Sequence, residues 1–120
     1  DGFVVSGNSN TLEQNVATSN RFGFYVFGGS NTLKQNEAKE NEPDGFYVQG
    51  NSNTLEQNVA TSNNYDGNDD GFDVDGNSNV LKRNKATKNF NTGFVINDTS
   101  TGNTVNGNSN TLEQNVATEK

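Results

Sequence analysis

Along most of this chain, apolar residues return at fixed intervals among Gly, Asn and Ser. Gly-Phe-x-Val recurs at Phe3/Val5, Phe24/Val26, Phe46/Val48 and Phe72/Val74, with Phe94/Ile96 as a fifth version. Alternation of this kind puts Phe and Val on one face of a short strand. Leu12, Leu33, Leu55 and Leu81 each follow a Phe by nine residues. Leu12 and Ala17 therefore supply inward positions on two further short strands.

The phenylalanines step by 21, 22, 26 and 22 residues, so the unit is about 22 residues long. The stretch GNSNTLEQNVAT occurs verbatim at Gly7–Thr18, Gly50–Thr61 and Gly107–Thr118, and degraded copies start at Gly28 and Gly76. The long step marks a four-residue insertion before Phe72. The fifth unit is irregular. Asn103-Thr104-Val105 echoes Asn-Thr-Leu late, and a last copy follows around Leu112.

Three short strands separated by Gly, Asn and Ser turns predict one rung of a coil. Each strand then pairs with its equivalents above and below. A helical reading fails on the Gly, Asn and β-branched content. Asn also falls in columns: Asn10, Asn31, Asn53, Asn79; Asn15, Asn36, Asn58, Asn84; and Asn20, Asn41, Asn63, Asn89. Stacked, these become amide ladders that satisfy turn backbone groups. The column Glu13, Lys34, Glu56, Lys82 alternates in sign and predicts cross-rung ion pairs of a few tenths of a kcal/mol.

Composition changes this picture little. The chain has 120 residues, is 28% hydrophobic and carries a net charge of −7, which taken alone leans towards disorder. Fixed apolar phase overrides that, with burial supplied by stacked repeats. There is no Cys and no His, which removes disulfides, thiolate metal sites and imidazole chemistry. No apolar run is long enough to span a bilayer and no signal peptide is visible, so no membrane role is expected. An acidic chain without a basic stripe is a poor nucleic-acid binder. Cations and neutral polar ligands such as sugars fit the charge better.

The pattern Asn-Thr-Leu-x-x-Asn-x-Ala-x-x-Asn, followed by Gly-Phe-x-Val, resembles the parallel β-helix repeat. It is similar to that of right-handed β-helix proteins: NosD-type periplasmic proteins, pectate lyases, polygalacturonases and alginate epimerases. The resemblance covers nearly the whole chain. It implies an all-β, right-handed, single-stranded parallel β-helix of about five rungs, forming one domain over residues 1–120. The chain starts on a repeat strand at Asp1-Gly2-Phe3 and stops at Lys120 with no visible cap. A piece of a longer β-helix, or end-to-end self-association, is therefore expected.

Relatives that act on sugars are similar in using the outer face of one sheet as a groove. Here the outward pairs of the Gly-Phe strand are Val4/Ser6, Tyr25/Phe27, Tyr47/Gln49, Asp73/Asp75 and Val95/Asn97. Stacked, Tyr25, Phe27 and Tyr47 form an aromatic patch, with Gln49, Asp73 and Asp75 beside it. Rings exposed on a sheet bind something or pack on one another across rungs. Asp73 and Asp75 would sit roughly 7 Å apart on one strand, within the range of inverting glycosidases. Nothing apolar in the sequence is evident to raise either pKa. There is no His, and Arg21 and Arg83, the two arginines, fall off this strand. The reading therefore leans away from an enzyme and names no catalytic residue.

Asp66-Gly67-Asn68-Asp69-Asp70-Gly71 opens like a calcium loop, D-x-[DN]-x-[DN]-G. Asp66, Asn68 and Asp70, with help from Asp73 or Asp75, are the candidate Ca²⁺ ligands; a solvated acidic loop is the plain alternative. Asn77 stands where an EF-hand needs Glu, so this is no EF-hand. Asn97-Asp98-Thr99 matches a glycosylation sequon, which is weak in so Asn-rich a chain. The leading expectation is a non-catalytic polysaccharide-binding segment of an extracellular, cell-surface or periplasmic protein. The alternatives are a structural stalk or filament unit, and a fragment of a polysaccharide lyase, hydrolase or epimerase.

Overall fold

The computed structural model describes residues 1–63, 69–90, 92–96, 111–113 and 116–118. The first rung consists of β1 (Phe3–Ser6), β2 (Thr11–Glu13) and β3 (Val16–Thr18). The second has β4 (Phe24–Phe27), β5 (Thr32–Lys34) and β6 (Glu37–Lys39), and the third β7 (Phe46–Gln49), β8 (Thr54–Glu56) and β9 (Val59–Thr61). The fourth has β10 (Phe72–Asp75), β11 (Val80–Lys82) and β12 (Lys85–Thr87), and the fifth β13 (Phe94–Ile96), β14 (Thr111–Glu113) and β15 (Val116–Thr118).

These strands form three five-stranded sheets, each pairing every third strand in order. All pairs are parallel and join equivalent residues, such as Phe24 with Phe46 and Leu33 with Leu55. The chain is thus an all-β parallel solenoid of about four turns between β1 and β13. In the irregular fifth unit, the last copy takes the rung position, because Leu112 pairs with Leu81. Residues 103–105, the other candidate, lie outside the described residues.

The core is a set of single-residue columns. Phe3, Phe24, Phe46, Phe72 and Phe94 stack with centroids 4.6–4.9 Å apart and planes within 6° of parallel. That distance is the spacing of neighbouring strands, so the backbone sets the stacking. Leu12, Leu33, Leu55 and Leu81 fill the second wall, and Ala17, Ala38, Ala60 and Ala86 the third. Phe3 and Val5 are only partly buried, since no described rung covers the first.

The third wall meets the first at a tight corner, which explains the Gly before each Phe. A Cβ on Gly23 would lie 2.5 Å from the Gly45 carbonyl oxygen and 2.9 Å from the Ala38 Cβ. Gly and Ala are paired requirements of that corner.

The ladder Asn residues of the inner rungs work on both sides. Asn58 Oδ1 accepts from the Asn36 backbone N–H at 2.9 Å and from Asn36 Nδ2 at 3.0 Å. Its own Nδ2 donates to the Leu33 carbonyl at 2.9 Å and to Asn84 Oδ1 at 3.0 Å. The residue before each ladder Asn is left-handed: Ser9, Gln14 and Ser19 have φ of 60°, 57° and 57°, and the later rungs repeat this. Such a backbone is unfavourable for a side-chain-bearing residue. The ladder bonds offset it at all three corners.

One expectation fails in detail. Glu13, Lys34 and Glu56 are register neighbours, yet neither Glu13–Lys34 nor Lys34–Glu56 closes to an ion pair. Partly exposed side chains gain little from such closure and lose rotamer freedom by it. Arg21–Asp1 and Lys39–Glu40 do close, at 3.0 and 3.3 Å.

Candidate functional site

Four rings gather on the outer surface of the first sheet, across the second and third rungs. Tyr25 and Tyr47 are register partners, with centroids 5.1 Å apart and planes 34° apart. Phe27 meets Tyr25 edge-on at 4.5 Å and lies 6.2 Å from Tyr47. The fourth ring, Phe22, stacks on Tyr25 at 4.7 Å and reaches Tyr47 at 5.9 Å. The rings form a canted cluster, and each is half-buried by its neighbours. Both sequence readings of the patch, ring packing and an exposed aromatic surface, thus hold in part.

Phe22 escapes the strand alternation because it lies in the turn before Gly23. A signal existed: its column otherwise reads Asp1, Asp44, Asp70 and Thr92, and an aromatic in a polar column needs a reason. Arg21 stands over Phe22 at 5.5 Å from the ring centroid, and Asp1 holds its guanidinium at 3.0 and 3.1 Å. Arg21 is off the strand, as read, but it borders the ring cluster.

The acidic side adjoins the rings in register. Asp73 pairs with Tyr47, and Asp75 with the exposed Gln49. Burial, with repulsion from Asp75 second, raises the Asp73 carboxyl to about 6. That corrects the sequence reading, which saw nothing to raise it; the desolvation comes from the fold.

Asp44, absent from the sequence reading, belongs to this side too. It is buried, and its Oδ1 accepts the Asp70 backbone N–H at 2.9 Å. That bond favours the ionised form, but burial outweighs it, and Asp70, Asp73 and Asp69 add repulsion. The carboxyl is raised to about 7. The Tyr47 phenol is raised as well, by burial first and then by Asp73.

The calcium expectation meets only part of its residues. Asp66 and Asn68 lie outside the described residues, as does the sequon at Asn97. Asp70 is buried, and its Oδ1 accepts the Thr92 backbone N–H at 2.9 Å. Among the described residues, no group of three acidic side chains is close enough to hold a metal ion. A shallow cavity of about 470 Å³ lies elsewhere, lined by Ser19, Asn20, Arg21, Glu40 and Glu42. It contains none of the expected site residues.

The family model of the right-handed beta helix region matches residues 1–118. The chain belongs to this family. No curated protein and no solved structure matches it. For a β-helix the match establishes architecture, while chemistry rests on the site itself. This β-helix offers an aromatic surface that can meet the C–H faces of a sugar ring. It also offers carboxyls that can accept hydrogen bonds from hydroxyls or ammonium groups. A raised Asp73 answers one objection to acid catalysis. The chain has no His, and its two arginines, Arg21 and Arg83, fall off this strand.

Proposed function

We propose that this β-helix is a non-catalytic carbohydrate-binding segment of an extracellular, cell-surface or periplasmic protein. The carrying observation is the cluster of Phe22, Tyr25, Phe27 and Tyr47 beside Asp73 and Asp75 on one outer face. The second sheet presents Thr, Val, Glu and Lys outward, and the third Val, Thr, Glu and Lys, with no ring on either among the described residues. Aromatic area is thus concentrated where an extended ligand could follow the rungs. Tyr supplies rigid amphipathic area at little entropic loss. Equivalent side chains recur every ~4.8 Å, so about one sugar residue would engage one rung. Exposed stacking without a deep pocket fits dissociation constants of roughly micromolar to millimolar.

Calorimetry against a broad polysaccharide panel tests this. A binder is expected, with binding lost in Tyr25→Ala and Tyr47→Ala while the circular dichroism spectrum is unchanged. No binder across the panel would favour the second reading, a structural stalk. The observation behind that reading is that the rings already half-bury one another.

A further inference from the structure

We propose that the acidic half of this face selects a cationic saccharide. Its ligand would be a polymer of amino sugars whose free amines lie over Asp73 and Asp75, with the buried Asp44 adding its charge from beneath, while its rings lie on Tyr25 and Tyr47. This rests on the carbohydrate-binding reading above and adds the class of sugar.

The first observation is that charge is superfluous to the bonding Asp44 performs. Its Oδ1 accepts the backbone amide of the next rung at 2.9 Å. Asn8 and Asn51 do the same for Gly29 and Asn77 at another corner, both at 2.7 Å. Neutral amides fill such roles at those positions, whereas Asp44 and Asp70 fill them in this column. A carboxylate in the same role accepts a stronger bond but adds a desolvation penalty that outweighs it. It gives a passing ligand a charge.

The second observation is register. Tyr47 is flanked in its column by Tyr25 on one side and Asp73 on the other. Gln49 is likewise flanked by Phe27 and Asp75. A sugar stacked on Tyr47 would therefore set the substituents of the next residue over Asp73. Arg21, the cation at the rings, is held by Asp1 beyond Phe22, at the end away from Asp73. Uronate carboxylates would be repelled there, and an acetylated amine carries no charge to attract. An ammonium relieves the mutual repulsion of the aspartate carboxylates and forms charge-assisted hydrogen bonds with the partly exposed Asp73 and Asp75.

Calorimetry near neutral pH and low salt, with soluble glucosamine oligomers and their fully N-acetylated counterparts, tests this. Free-amine oligomers are expected to bind about tenfold tighter, the scale of one charge-assisted contact on a half-exposed face. Asp73→Asn and Asp44→Asn, isosteric changes, should remove that preference, bringing free-amine binding down to that of the acetylated form. Tyr47→Ala should weaken both forms together. Equal binding of the two forms overturns this inference and leaves carbohydrate binding standing. No binding of any saccharide overturns both. Preferential binding of uronate oligomers, with or without Ca²⁺, also overturns it. So does an oligolysine peptide that binds as tightly as the glucosamine oligomer and is insensitive to Tyr47→Ala, since that is plain charge attraction.

Discussion

Two kinds of column carry side-chain hydrogen bonds between rungs, and they differ in charge. The Asn columns are neutral, buried and bonded on both sides, as Asn36, Asn58 and Asn84 show. The Asp44–Asp70 column also passes bonds from rung to rung, Asp44 to the Asp70 amide and Asp70 to the Thr92 amide. An Asn both donates and accepts, so a ladder can extend without limit. A carboxylate can only accept, and each one added raises the repulsion on the next. The first column is what a solenoid needs everywhere. The second appears on two rungs beside the ring cluster, where burying the Asp44 carboxyl weakens the local fold. That local cost, next to half-buried rings, is what the binding proposal rests on.

The largest way to break that comparison is to put the wrong group in the neutral column. Asn58→Ala would strand the Asn36 N–H and the Leu33 carbonyl in the core. At about 1–3 kcal/mol per stranded group, a loss of about 3–5 kcal/mol is expected in chemical denaturation. Asn58→Asp keeps the acceptor but turns the donor towards Leu33 and Asn84 into a second acceptor. Its loss should be at least as large. A tolerated Asn58→Asp would show that the Asn columns are interchangeable with the acidic one.

The converse change is Asp44→Asn, expected to stabilise. Folded Asp44 stays protonated up to about 7, against an ordinary carboxyl near 3.8. Between those values the native state holds a proton that the unfolded chain has released, so stability falls as pH rises through this window. Asp73, raised to about 6, contributes in the same direction. The variant and the wild type should match near pH 4, where Asp44 is neutral. They should then diverge, with Asp44→Asn more stable by about 2–4 kcal/mol at pH 8. Thermal unfolding from pH 4 to pH 8 reads the gap directly. A gap that is constant with pH would mean that Asp44 ionises freely in the folded state.

The neutral columns were legible in the sequence and the acidic one was not. Asn58 recurs at a fixed phase with Leu55 and Phe46, so period and register followed from counting. The candidate residues Tyr25, Phe27, Tyr47, Gln49, Asp73 and Asp75 do share one outer face, because strand alternation fixes direction. Phe22 and Asp44 lie in the turn before the strand, where no alternation operates. Their relation to Tyr25 and Tyr47 depends on how the turn folds back over the sheet. The requirement for Gly23 was likewise hidden, since it arises from Ala38 and Gly45, residues brought close only by winding. The raised carboxyl of Asp73 depends on burial, which a strand pattern does not report.

The smallest effect concerns the corners that hold the neutral columns in place. Gln35 and Gln57 stand before ladder residues with φ of 54° and 57°. Their side chains are exposed and weakly linked, Gln14 to Gln35 at 3.3 Å and Gln35 to Gln57 at 3.5 Å. If the amide ladder imposes the left-handed corner, Gly at 57 gains from relieved strain about what it loses in chain entropy. Gln57→Gly should then fall within about 0.5 kcal/mol of the wild type. Val, β-branched and poorly suited to that backbone, should instead lose about 1–2 kcal/mol at the same exposed position. Denaturant titration of Gln57→Gly and Gln57→Val side by side gives the comparison. Val as stable as Gly would mean that the corner can relax out of the left-handed region, and that the ladders follow the backbone without holding it.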